Sequence, residues 1–181
     1  KTEKRELGEF DCISMRGIGK LIISQGKQQE VTLDGDEITV SRISTNVKDG
    51  KLVIDVGRDW VEKLSAGLDF LSDRDLRITI VIKDLKELEV AGAADIEVSP
   101  IKTDDLTLKL IGASNIKVGS LKADSLRAEL PGAGKIHVDG EVKDLSVTLA
   151  GAGNFSGLQL KSKNAKVVLS RSLVKAEFPR T

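Results

Sequence analysis

The sequence predicts an all-β protein, with N-terminal antiparallel strands and a short helix leading into a β-helix-like solenoid of about 20 residues per coil. Three observations carry this reading. A Gly-Ala motif recurs four times, as GAADIEVS from Gly92, GASNIKVG from Gly112, GAGKIHVD from Gly132 and GAGNFSGL from Gly151, at separations of 20, 20 and 19 residues. Apolar residues keep the same phase around each glycine: Leu88 and Val90, Leu108 and Leu110, Ala128 and Leu130, Val147 and Leu149 precede it, and Ile96 and Val98, Ile116 and Val118, Ile136 and Val138 follow. Before residue 58 the chain alternates short β-rich runs with turn residues.

The first 75 residues form the N-terminal region. Lys20–Ser24, Glu30–Leu33 and Lys51–Val56 are strand-like, and Gly26, Asp34-Gly35-Asp36 and Asp49-Gly50 separate them. Asp-Gly suits hairpin turns that need positive φ, so these runs are expected to pair antiparallel. Between residues 60 and 71, Trp60, Leu64, Leu68 and Leu71 recur at helical spacing, and Asp59 stands three residues before Glu62 as in a capping box. A short helix packed on the sheet is expected there.

Residues 76–181 form the repeat region. It opens with the strand-like Arg77–Ile82 and continues through the four Gly-Ala segments. A unit of this length with two short strands cannot bury its apolar face alone, whereas stacked copies bury a continuous column. Gly92, Gly112, Gly132 and Gly151 are then structural corners, supplying positive φ and letting adjacent coils approach at strand spacing, about 4.8 Å. Asp105, Ser125 and Asp144 fit a second corner at which short side chains bond nearby backbone N–H groups. In the fifth repeat Ser170-Arg171-Ser172 replaces the glycine motif, and Arg171, Lys175 and Arg180 suit a charged cap that blocks edge growth.

Composition narrows the function. The chain has 28 basic and 28 acidic residues, so no overall field draws nucleic acid, and none is expected as a partner. Aromatics are 3% of residues with no Tyr, which leaves few platforms for stacking bases or sugars. Cys12 is the single cysteine, which rules out an internal disulfide or a thiolate zinc site. It reads as a small strand residue without a lipidation setting. No apolar run approaches the roughly 18 residues of a membrane-spanning helix. The chain opens at Lys1 rather than Met, so a removed N-terminal segment is expected, and it is where an export signal or membrane tether belongs.

Individual candidates for chemistry are few. LPGAGKIHVD, from Leu130 to Asp139, resembles a phosphate loop, but a strand rather than a helix follows it, and the motif is repeated. His137 lies between Ile136 and Val138 and so points outward, with no second His to share a metal. No cofactor or metal is expected. A stacked carboxylate ladder could take calcium, but the dense GGxGxDx pattern of calcium β-rolls is missing. The enzyme alternative is a polysaccharide lyase or hydrolase, for which Asp104, Asp105 and Asp124 would supply acids. Their repeated corner positions and short loops argue against a cleft.

The whole pattern resembles the putative auto-transporter adhesin head GIN domain family, common in Bacteroidetes. The resemblance rests on the segment from Phe10 to Ile13, GKLIISQG from Gly19 to Gly26, VKDGKLVI from Val47 to Ile54, and the Gly-Ala corners. Ala93-Ala94 and Ala113-Ser114 depart from the family's Ala-Gly. The resemblance implies a β-helical, secreted or envelope-anchored protein, often a lipoprotein, with no catalytic residues. The function expected is a non-enzymatic, adhesin-like envelope component that contacts a protein or glycan at the cell surface. Small residues such as Ala128 and Ala133 are expected to let a second copy approach, giving a homo-oligomer.

Overall fold

The computed structural model describes residues 1–57, 76–170 and 175–179. It is mostly strand: β1 (Thr2–Arg5), β2 (Cys12–Gln25), β3 (Glu30–Asp34), β4 (Ser44–Lys48), β5 (Lys51–Asp55), β6 (Arg77–Ile82), β7 (Glu87–Val98), β8 (Ile101–Lys102), β9 (Asp105–Leu110), β10 (Asn115–Leu130), β11 (Lys135–Leu149), β12 (Asn154–Ser156), β13 (Leu160–Leu169) and β14 (Lys175–Glu177). One short helix, α1 (Glu37–Arg42), lies between β3 and β4.

The repeats lie side by side in parallel register. Ile96 pairs with Ile116 and Ile116 with Ile136, while Leu106, Leu126 and Leu145 align through β9, β10 and β11. Identical phase in each repeat places like residues opposite one another, so every second side chain points into one shared interior. Ile96, Ile116 and Ile136 are all buried there. A single apolar cluster runs from Phe10 to Leu160.

The N-terminal pairings differ from the expectation at three points. β2 does not form a hairpin with β3; it runs parallel to β7 along one edge and to β5 and β6 along the other. Its alternation of Ile13, Met15, Leu21 and Ile23 matches the inward phase of the repeats, so burial of those side chains prevails over the local turn. β6 sits between β2 and β3, and among the described residues antiparallel pairing is confined to β4–β5, β3–β6 and β1–β3. Asp49 and Gly50, with φ of 52° and 74°, make the β4–β5 turn that their sequence favours.

Asp34-Gly35-Asp36 opens a helix rather than a hairpin. Asp36 caps α1 by accepting from the Ile38 and Thr39 N–H groups, both at 2.9 Å. Val40 is the helix's buried anchor. The helix expected over residues 60–71 lies outside the described residues, as do Arg171 and Arg180. Among the described residues no helix is long and apolar enough to cross a membrane.

Candidate interaction surface

The glycine motif contributes no ligand-binding loop. Gly17, Gly92, Gly112, Gly132 and Gly151 stack through successive repeats, and a Cβ on any of the last four would overlap the carbonyl oxygen of the glycine beneath it. The first reason for glycine there is therefore close backbone approach. Positive φ adds to it at Gly92 (139°), which lies within β7, but is absent at Gly112, Gly132 and Gly151, which lie in bends between strands. Contrary to the expectation from sequence, positive φ is therefore not what the later three corners require. Ser114 occupies the variant position of the motif as a buried bridge, donating to Gly92 O at 3.0 Å and accepting from Ala94 N at 2.8 Å.

His137 is half-buried on an outward-facing position, with Nε2 2.9 Å from Asp139 Oδ1. Among the described residues no group of three or more His, Cys, Asp or Glu side chains is arranged to hold a metal ion. Cys12 hydrogen-bonds Asp11 Oδ1 at 3.4 Å. Burial, and then that bond to Asp11, push its thiol up to about 11. A hydrogen bond from Lys86 holds the Asp11 carboxyl below its ordinary range.

The second-corner residues bond to one another rather than to backbone N–H groups. Ser125 Oγ donates to Asp105 Oδ1 at 2.5 Å, and Asn164 Nδ2 donates to Asp144 Oδ1 at 3.0 Å. The register places these four side chains in one column, so each faces a side chain of a neighbouring strand. A shallow groove of about 350 Å³ runs along this column past Arg127, Ser146 and Lys166. A second, of about 340 Å³, is lined by Lys102, Asp104, Lys122, Glu141, Lys161 and Lys163 among others. Asp124 is taken up by Lys143 at 3.1 Å. Of the three carboxylates considered for sugar chemistry, Asp104 and Asp105 are adjacent in one repeat and Asp124 lies in the next, and Asp105 and Asp124 are already engaged by neighbours.

The outward faces are polar and mixed in charge. Asp95, Asn115, Lys135 and Asn154 form one outward column, and Glu97, Lys117, His137 and Ser156 the next. Lys20 reaches Glu97 at 3.0 Å across this face. Ala133 is exposed, but Ala128 is fully buried in the inward column and cannot meet a second copy. Its neighbours Leu108 and Val147 have the same inward phase, a constraint that the sequence pattern already contained.

Comparison with known proteins places this geometry. A family model described as "Putative auto-transporter adhesin, head GIN domain" matches residues 9–172. No curated protein matches the chain. Among solved structures, a putative adhesin from Bacteroides fragilis NCTC 9343 is 15% identical with a TM-score of 0.74, over 98% of this chain and 96% of that one. A putative lipid binding protein from Parabacteroides distasonis ATCC 8503 is 18% identical with a TM-score of 0.62, over 97% and 96%. A putative adhesin from the same strain is 14% identical with a TM-score of 0.55, over 98% and 96%. At these identities the likeness is one of fold.

Proposed function

The chain belongs to the putative auto-transporter adhesin, head GIN domain family, and from that premise we propose that it is a non-enzymatic, adhesin-like component of the cell envelope. Its repeats wind as a β-solenoid, and its outward faces contact a protein or glycan at the cell surface over an extended area. The observation that carries this reading is the dispersal of polar groups. Carboxylates alternate with a hydroxyl and an amide along one column, Asp105 bonding Ser125 and Asp144 bonding Asn164, so these acids are engaged by neighbours rather than set apart as a pair for bond cleavage. Flat, regular faces suit broad contacts better than engulfment of a small molecule. The names of structurally similar adhesins support the same reading at the level of fold. Export to the periplasm, outer membrane or cell surface, with a membrane tether, is part of the proposal.

A glycan array together with pull-down from envelope fractions tests it. Retention of a glycan or an envelope protein on the folded domain, with no shortening of any bound polysaccharide, is the expected result. Depolymerisation of a glycan by the wild type that disappears in Asp105→Asn would replace this reading with the enzyme one.

A further inference from the structure

The apolar interior of the repeats does not close at its C-terminal end. The inward columns run Leu106–Leu126–Leu145–Ala165, Leu108–Ala128–Val147–Val167 and Leu130–Leu149–Leu169. Every member through β11 is buried, yet Val167 is 38% and Leu169 53% exposed. Among the described residues β13 has a single partner strand, β11, so its outer edge carries unpaired N–H and C=O groups beside exposed apolar side chains. Among the described residues the chain closes only the other half of this end, where β14 pairs with β12 and Phe178 packs on Phe155 with ring centroids 5.8 Å apart.

We propose that a second copy of this chain covers this edge, β13 pairing antiparallel with β13 about a two-fold axis through Val167. The segment Asn164–Ser170 is self-complementary in that register. Ala165 faces Leu169 of the other copy, Val167 faces Val167, and Leu169 faces Ala165, so small meets large and the two interiors become one. On the outer face Lys166 stands opposite Val168, which avoids like charges directly across the pair. An anionic lipid surface would also attract Lys161, Lys163 and Lys166, but hydrocarbon cannot satisfy the free backbone groups of a strand edge, whereas another strand does. Head-to-tail growth is disfavoured because β1, an outermost strand of the sheet on the opposite side, presents Glu3, Lys4 and Arg5 and buries no apolar side chain. The pairing is isologous and closes at two copies. It is independent of what the outward faces bind.

Light scattering across a concentration series reads the assembly, and symmetric disulfide trapping reads the register. The expected results are a mass that doubles with concentration, and a Val167→Asp variant that stays monomeric with unchanged circular dichroism. In a Cys12→Ser background, Val167→Cys should cross-link under mild oxidation, because opposed antiparallel residues lie about 4.5–5.5 Å apart at Cα, within disulfide reach. Ala165→Cys, facing Leu169, should not. If Val167→Asp folds poorly, the two cysteine variants still decide. A strict monomer without Val167→Cys cross-linking overturns the proposal, as do a dimer that survives Val167→Asp, masses growing beyond two copies, or binding of anionic vesicles by Val167 and Leu169 in place of dimerisation.

Discussion

At the scale of single residues, space rather than dihedral angle decides three of the four corner glycines, Gly112, Gly132 and Gly151. A Cβ at Gly132 would overlap the carbonyl oxygens of Gly112 and Ile111, so Gly132→Ala should destabilise by more than about 1 kcal/mol in urea unfolding. Gly119 has ordinary φ and its Cβ would meet Val98 O at 3.5 Å, an unstrained contact. Gly119→Ala should therefore be neutral or stabilise by up to about 1 kcal/mol, through a less flexible unfolded chain. Glycine recurrence was visible in the sequence. The distance between backbones that makes it obligatory was not, because that distance belongs to two strands 20 residues apart. Cys12 makes a second residue-level case. With its thiol pushed up to about 11 by burial and Asp11, only about one thiol in a thousand is ionised at pH 8. Alkylation by iodoacetamide at pH 8 should be slower than for a free cysteine by roughly two orders of magnitude, rising about tenfold per pH unit until the thiol titrates.

At the scale of elements, inward and outward phase sets the energetics. Leu108 is fully buried between Leu88 and Ala128, so Leu108→Ala should cost about 2–5 kcal/mol, whereas Leu158→Ala, at a half-exposed site, should stay within about 0.5 kcal/mol. Chemical denaturation of both variants makes the comparison. The strands of the repeats were legible because alternation and repeat length agree across four copies. α1 was not, since Glu37-Ile-Thr-Val-Ser-Arg42 contains β-branched residues that favour strand, and only the Asp36 cap and the burial of Val40 turn it helical. Asp36→Ala should raise hydrogen exchange at the Ile38 and Thr39 amides while leaving the strand amides protected; unchanged exchange there would mean that docking of Val40 suffices.

At the scale of the whole molecule, one apolar cluster joins N-terminal and repeat strands, with β2 paired to β7 over twelve residues. Contiguity of this kind makes unfolding a shared event even where each repeat touches only its neighbours. Leu52→Ala in β5 and Leu145→Ala in β11 should both lower the midpoint of the same single transition, followed by far-ultraviolet circular dichroism and by calorimetry. Two resolved transitions, each sensitive to one variant, would instead divide the chain into separately stable halves.

The sequence by itself determined the all-β class, the repeat length, the common phase of the apolar residues flanking each glycine, and the turn at Asp49-Gly50. Each of these is a local periodicity or turn preference, repeated often enough to outweigh any one exception. Tertiary structure alone decided that β2 lies parallel to β7 and that β6 separates β2 from β3, since strand order depends on which buried faces match across distant segments. It also decided that Asp105, Ser125, Asp144 and Asn164 bond to one another, and that Val167 and Leu169 are left uncovered. An inward-facing residue and an exposed edge residue share the same pattern along the chain. Only the presence or absence of a next strand tells them apart.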